Sequence, residues 1–493
     1  MGACRVRVLT KEEGSFLSPM LHGHFAEHLG RCCVDGLWVG RRSSIPNEAG
    51  FHQGVLRALA RLGLPVLRWP GGCYADTYHW RDGIGPGERR PRTLGESCGL
   101  RVAEENGLGT HEFIDLCRRV GAEPYLAGNV GSGSPQEMAD WVHYCNGTLD
   151  TDLVRQRAAN GSAEPMNVRY WGVGNENWGC GGNYDAADYA KEFRRYATFI
   201  KMADPNVELV ACGHTDPNWN RAVMEVLRDD LALVDHLSVH RYYAAGRALD
   251  FDESEYYASM RAGQLVGLDV AEAYGIVRSF CAGRKQVKIA FDEWGIWHPE
   301  ATGATQYEAP STLRDAVAAA GVLDAFHRWA HALSMANLAQ VVNVLQCLVQ
   351  TRDDRFWVTP TYHLFDLYRV HRGAVRLGIE VDCDTVDAPG LADAPAGPLP
   401  ILSATASTQG GGIAVSVSNR HISRAVEVEF RLDEGRIAWC EAASLAADSP
   451  AAVNSAEDPE RVAIRRHEVR PADGAVRLEL PPCSVHTLVL TCE

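Results

Sequence analysis

The sequence predicts an α/β chain: a (β/α)8 TIM barrel over residues 16–375, with residues 1–15 and 376–493 forming an antiparallel β-sandwich. Three observations carry this. Short apolar runs that each finish on a polar residue alternate with helical stretches through the first three quarters of the chain. Beyond about residue 376 the hydrophobic period becomes two. At 493 residues, the chain is also too long for one small core.

The strand candidates end near Glu27, Arg68, Asn129, Glu176, His214, His240, Glu293 and Gln346. Helices are expected at 51–63, 109–121, 135–145, 185–203, 217–230, 268–283, 311–338 and 361–371. The turns Leu62-Gly63-Leu64-Pro65, Val120-Gly121 and Asp204-Pro205-Asn206 punctuate helix ends. A doubly wound open sheet fits less well, because no glycine-rich phosphate loop follows the first strand and polar residues finish every strand. Two connections, 71–107 and 295–311, are long enough to shape a cleft on the carboxyl face. Ala388 to Pro400 reads as a linker, after which Ile413-Ala-Val-Ser-Val, Val426-Glu-Val-Glu-Phe and Val476-Arg-Leu-Glu-Leu alternate as strands. Arg5-Val-Arg-Val-Leu9 alternates in the same way and is expected to join them from the N-terminus.

A composition of 46% hydrophobic and 23% charged residues is that of a soluble globular protein, and a net charge of −15 excludes a polyanion partner. No run is long enough to span a membrane. The first residues, Met1-Gly2-Ala3-Cys4, open neither a signal peptide nor a myristoylation pattern, since position 6 is Val. The 15 cysteines are odd in number, scattered, and without a CxxC pair. That usage predicts reduced thiols and a cytoplasmic location.

The chemistry concentrates in two strand ends. Tyr170-Trp-Gly-Val-Gly-Asn175-Glu176 and Lys288-Ile-Ala-Phe-Asp292-Glu293-Trp294 each expose a carboxylate where a barrel carries its reactions. Two carboxylates on opposite strands suit acid/base or nucleophilic cleavage of a glycosidic bond, and a separation near ~5 Å would make it a retaining, double-displacement reaction. Asn175 is placed to bond a sugar hydroxyl while Glu176 protonates the leaving oxygen. Arg68, before Pro70-Gly71-Gly72, is a candidate partner for Glu293 or Glu27. Asp292 is read as structural, because alternation turns it away from Glu293. Tyr242 is a carboxylate-orienting hydroxyl and His240 a wall residue. Trp178 and Trp297, with Trp69 and Trp294, are candidate sugar platforms. A metallohydrolase using His22, His24, His214 and His240 is the rival, but it needs a late-strand aspartate that Val341–Cys347 lacks. A non-catalytic carbohydrate-binding protein is the third class, and it needs neither glutamate.

At these residues the chain resembles the family 51 glycoside hydrolases, mainly α-L-arabinofuranosidases. The segments that carry the likeness are Gly23-His-Phe-Ala-Glu27-His-Leu-Gly30, Arg68-Trp-Pro-Gly-Gly72, Trp80-Arg-Asp-Gly-Ile-Gly-Pro86, Gly172-Val-Gly-Asn-Glu176-Asn177, Ser238-Val-His-Arg-Tyr-Tyr243 and Phe291-Asp-Glu-Trp294. The resemblance implies a retaining exo-hydrolase that releases terminal α-L-arabinofuranose from arabinan or arabinoxylan oligosaccharides. Glu293 would be its nucleophile and Glu176 its general acid/base. Glu27, Asn175 and Tyr242 would hold the furanose, and Arg68 would support the nucleophile. It implies no metal or cofactor, and a cytoplasmic homo-oligomer, hexameric in many members. Endo-glucanase and β-xylosidase are related activities of the family. Cys73 stands where many members have Asn, and a thiol cannot supply both functions of an amide to a substrate there.

Overall fold

The computed structural model describes residues 4–492. Met1–Ala3, where the leader patterns were weighed, lie outside them. Eight parallel strands close a barrel in sequence order. They are Gly23–Phe25, Val66–Trp69, Glu123–Gly128, Tyr170–Val173, Glu208–Ala211, His236–Tyr243, Lys288–Ile296 and Leu333–Ala339, called strands one to eight below. Helices Gln53–Leu62, Thr110–Val120, Pro135–Asn146, Ala186–Ala203, Pro217–Val226, Ala262–Cys281, Leu313–Arg328 and Pro360–Tyr368 surround it. Gly63 (φ 64°) and Gly121 (φ 75°) end the first two of these as left-handed caps, as their turn sequences require.

Strand eight corrects one expectation. The helix expected over 311–338 ends at Arg328, and Leu333-Ser-Met-Ala-Asn-Leu-Ala339 is the strand in place of Val341–Gln346. The Ala, Leu and Met content favours a helix locally, whereas Val341-Val-Asn-Val-Leu has β-branched character. Closure of the barrel overrides both preferences, because strand eight is buried between strands seven and one. Gln346 is instead a brace inside a loop: its Oε1 accepts from Ile296 N (2.9 Å) and its amide donates to Asp315 O (3.2 Å).

The barrel interior is layered. Val66, Tyr125, Tyr170, Val210, Ala290 and Met335 fill the apolar floor from six different strands. Above them Arg68 lies over the Phe25 ring (4.7 Å), and the Tyr125 hydroxyl donates to Asp292 (2.7 Å). The carboxyl-end residues stand on this polar layer.

The second sheet has nine strands. The N-terminal strand Cys4–Phe16 lies inside it, antiparallel to Val375–Asp382 and parallel to Val426–Leu432. Residues near opposite ends of the strand order, Cys440 and Val476, share one core with Val6, Val415 and Val428, so the sheet curls onto itself. The expected linker is a docked hairpin, Thr385–Ala388 with Gly397–Pro400. The Arg261 guanidinium donates to the Ala388, Pro389 and Gly397 carbonyls and pins it to the barrel. A buried polar seam joins sheet and barrel: Ser403 donates to Asp324 (2.5 Å), and His327 lies between His22 (3.0 Å) and Thr405 (3.1 Å). No helix among the described residues is long and apolar enough to cross a membrane.

Candidate active site

Strand seven carries a bulge at Asp292–Glu293. Phe291 pairs with Ala336 and Trp294 with Leu338, so two residues oppose Asn337 alone. The bulge lets neighbouring side chains serve the same interior. Asp292 bonds Tyr125 and lies 4.0 Å from Arg68 Nε, while Arg68 Nη1 donates to Glu293 Oε1 (2.6 Å). The expectation that Asp292 turns away from Glu293 is therefore corrected: strict alternation fails where the ladder carries an extra residue.

Arg68 also donates through Nη2 to Asn175 Oδ1 (2.6 Å), so one guanidinium fork ties strand seven to the end of strand four. It bonds Glu293 rather than Glu27. Burial alone would lower the Arg68 pKa, but the charges of Glu293 and Asp292 outweigh it and the net shift is upward. Burial likewise pushes the Glu293 carboxyl up, yet His240 and Arg68, with the Tyr242 hydroxyl donating to Oε2 at 2.7 Å, bring it below its ordinary value. This carboxylate is held ionised.

Glu176 has a φ of +42°, a left-handed conformation that costs a non-glycine residue about 1–2 kcal/mol. Its carbonyl is tied down by Gly179 N (2.7 Å) and Gly181 N (3.2 Å). Two residues earlier Gly174 (φ 84°) must lack a side chain, because a Cβ there would meet Asn177 Oδ1 at 2.1 Å. This turn aims the Glu176 side chain at the barrel axis. Its Oε1 lies 2.9 Å from His240 Nδ1, the same nitrogen that stands 3.6 Å from Glu293 Oε1. Burial would depress His240, but Glu293 and the bond to Glu176 raise it, and the net shift is upward. The Glu176 side chain is 20% exposed and that of Glu293 6%: one faces the mouth, the other the floor.

Glu27, at the end of strand one, accepts from Gly72 N (3.0 Å), Tyr74 N (3.2 Å) and Ser97 Oγ (2.8 Å), and its Oε2 from Gln340 Nε2 (3.1 Å). Burial and repulsion from Glu293 raise its carboxyl to about 7, against the bonds from Ser97 and Tyr74. Gly72 brings backbone close to the site, since a Cβ there would lie 2.8 Å from Glu293 Oε1. The segment 71–107 folds into short 3-10 turns and a hairpin, Thr93–Ser97 with Leu100–Glu104. Tyr307 of the loop after strand seven donates to the Cys98 carbonyl, so the two long loops meet at the site.

Glu27, Arg68, Asn175, Glu176, His240, Tyr242 and Glu293 thus converge. Trp297 packs edge-on against the Tyr242 ring (5.1 Å) and Trp178 against His214 (4.1 Å), both partly buried at the wall. Trp69 and Trp294 are not platforms. They point out of the barrel, Trp69 stacked on Phe113 and Trp294 packed on Phe326. His22 and His24 also face outward, towards His327 and Phe365, so the metallohydrolase constellation does not assemble.

The cysteine expectation is corrected at one place: Cys73 and Cys180 are joined by a disulfide, which links the loops after strands two and four. Spacing gave no sign of this, because 107 positions separate them and only barrel closure brings them together. Three other contributors were missed. Asp76 is buried and accepts from Val130 N, Gly131 N and Asn175 N, each at 2.8 Å, and burial raises its carboxyl to about 7 despite those bonds. Ser97 and Gln340 complete the Glu27 shell. No motif flags them, and Gln340 was hidden by the misplaced eighth strand.

One family model, described as the alpha-L-arabinofuranosidase 1 domain, matches residues 58–261, and another, the alpha-L-arabinofuranosidase C-terminal domain, matches 292–484. An intracellular exo-alpha-L-arabinofuranosidase of Bacteroides ovatus is 38% identical over 97% of this chain and 94% of its own. The crystal structure of the family 51 arabinofuranosidase of Xanthomonas axonopodis pv. citri superposes with a TM-score of 0.92 at 32% identity, over 99% of this chain and 100% of that one. The Thermotoga maritima alpha-L-arabinofuranosidase, solved as an arabinose complex, gives 0.89 at 31% identity over the whole of both chains. With relatives of this identity and coverage, the chain belongs to the family 51 glycoside hydrolases, the α-L-arabinofuranosidases.

Proposed function

We propose that the protein is a retaining exo-α-L-arabinofuranosidase with Glu293 as nucleophile and Glu176 as general acid/base. One observation carries the mechanism: oxygens of Glu176 and Glu293 and a ring nitrogen of His240 all lie within 4.8 Å of one another. Retaining enzymes hold their carboxyl groups about 5 Å apart, whereas inverting ones leave roughly 6.5–9.5 Å for a water. Electrostatics supports the nucleophile's role for Glu293, and the more exposed position of Glu176 supports the acid/base role. Glu293, ionised between Arg68, His240 and Tyr242, attacks the anomeric carbon as the glycosidic C–O bond breaks and Glu176 gives its proton to the leaving oxygen. Water then enters from the mouth, loses a proton to Glu176, attacks the same carbon and releases Glu293.

Asn175 and Glu27 hold ring hydroxyls, and His240 couples the two carboxylates through one nitrogen. Trp178 and Trp297 flank the mouth, and the Cys73 side of the rim shapes the entrance. The substrates are arabinan- and arabinoxylan-derived oligosaccharides, cleaved inside the cell by a homo-oligomer. The names of the relatives support the arabinofuranoside and the intracellular setting, the resemblance supports the oligosaccharide class and the homo-oligomer, and a panel of aryl glycosides with sedimentation analysis tests them. Faster cleavage of an aryl β-xyloside or a glucan than of the arabinofuranoside would displace the substrate assignment.

Glu293→Ala and Glu176→Ala each lower kcat with a natural oligosaccharide by at least about 100-fold. Azide restores Glu176→Ala on an activated aryl arabinofuranoside and yields a glycosyl azide of retained configuration. Near-wild-type turnover in both variants would remove the assignment.

A further inference from the structure

The disulfide stands at the working carboxylate. Cys180 Sγ lies 3.9 Å from Glu176 Oε2 and 4.0 Å from Asn175 Nδ2. Cys73 Sγ, Cys180 Sγ and a Glu176 oxygen all fall within 4.8 Å of one another. Cys180 is exposed, while Cys73 and Glu176 are half-buried, so both sulfurs can be reached from solvent. Four other cysteines differ: burial pushes the thiols of Cys117, Cys145, Cys212 and Cys347 up and leaves them inert.

We propose that Cys73 and Cys180 form a reversible disulfide–dithiol pair whose reduced form, together with Glu176, binds a soft divalent cation of the Zn2+ or Cd2+ class. Two thiolates and a carboxylate are a donor set for such an ion, with one tetrahedral position left for water. Zinc–sulfur bonds of about 2.3 Å require sulfurs about 3.8 Å apart. With Cα atoms 5.5 Å apart, side-chain rotation alone can reach that separation. The third ligand is already aimed, because His240 Nδ1 holds Glu176 Oε1 at 2.9 Å and leaves Oε2 towards the sulfur.

The chemistry balances. Two small thiols, which leave joined as their own disulfide, or one phosphine supply two electrons, the S–S bond breaks, and two protons complete the thiols. The phosphine leaves as its oxide, with oxygen from water. Binding the cation then releases both thiol protons. The oxidised chain holds the cross-link and cannot bind the ion; the reduced chain can. A loaded site also occupies Glu176, so metal binding and hydrolysis exclude each other. Only this last consequence rests on the acid/base role proposed above.

The test uses the full chain, with its disulfide intact or opened by a phosphine that is then removed under anaerobic conditions. Each form is titrated with Cd2+, followed by thiolate-to-metal charge-transfer absorption and by bound cadmium. The expected result is one ion per reduced chain, none in the oxidised chain, and no charge-transfer band in reduced Cys73→Ser or Cys180→Ser. Glu176→Gln lowers the affinity about tenfold but keeps the band. No band in the reduced wild type, or a band unchanged by both serine variants, would overturn the site, and the comparison of the two redox forms needs no variant that must fold. If Glu176→Gln weakens binding and the loaded wild type still hydrolyses an arabinofuranoside, the site stands and the catalytic role of Glu176 falls.

Discussion

Tyr242 contributes one hydroxyl, donated to Glu293 Oε2 at 2.7 Å. A hydrogen bond to a charged acceptor is worth about 1.5–3 kcal/mol. Tyr242→Phe is therefore expected to lower kcat/KM by about 10- to 100-fold while the fold persists. The bond lowers the Glu293 carboxyl, so its loss moves the acid limb of the pH–kcat/KM profile to higher pH. A profile that keeps its acid limb would mean that Tyr242 does not set the ionisation of Glu293. At this scale the sequence was informative. Strand-end glutamates, the amide before Glu176 and the arginine before a Pro-Gly-Gly turn all named their positions, because catalysis needs particular functional groups at particular strand ends. It was silent on Asp76, which accepts three backbone bonds from distant loops, and on Ser97, which donates one to Glu27; neither carries a local pattern.

Among the elements, the loops over the carboxyl face depend on a few buried anchors. Asp76 ties the loops after strands two, three and four by accepting from Val130, Gly131 and Asn175. Asp76→Ala leaves those donors unpaired, at about 1–3 kcal/mol for each that water does not reach. Urea unfolding should show a loss of about 3 kcal/mol or more, and kcat should fall as well, because Asn175 and Glu176 share that loop. A variant as stable as wild type would show that water replaces the carboxylate. Element boundaries were legible where turn chemistry marks them, as at Gly63 and Gly121. They were lost at strand eight, where Leu333–Ala339 has the local preference of a helix and only its neighbours make it a strand.

For the whole molecule, the seam between barrel and sheet is a line of neutral histidines. Burial lowers His22 and His327 well below the ordinary value and takes His371 down to about 3. His371 sits between Ser407 (2.7 Å) and Ser416 (2.9 Å), so both ring nitrogens are engaged. A histidine with a depressed pKa contributes its full stability above the unfolded value near 6.5 and loses it as pH falls towards the folded value. Each such group costs about 1.4 kcal/mol per pH unit below that point. Glu27 and Asp76 act in the opposite sense: their raised carboxyls add stability as pH falls through about 7 towards their ordinary values. The unfolding free energy is expected to fall between pH 6.5 and 5, because the depressed histidines, which also include His24, His363 and His486, outnumber the raised carboxyls, which also include Asp292 and Asp324. His371→Gln removes one group and should make the slope shallower by about 1.4 kcal/mol per pH unit. An identical slope in the variant would show that His371 is protonated in the fold.

The sequence by itself determined the barrel, the strand-built second domain and the residues proposed to carry a glycosidase chemistry. Each of these rests on local pattern: period, turn residues, and functional groups at strand ends. Tertiary structure alone decided how they meet. Barrel closure turned Leu333–Ala339 into a strand and placed Gln340 on Glu27. The bulge in strand seven brought Asp292 and Glu293 to one guanidinium, and the approach of two loops joined Cys73 to Cys180 beside Glu176. These are contacts between residues far apart in the chain. Their partners are set by the packing of the whole, and no short segment encodes them.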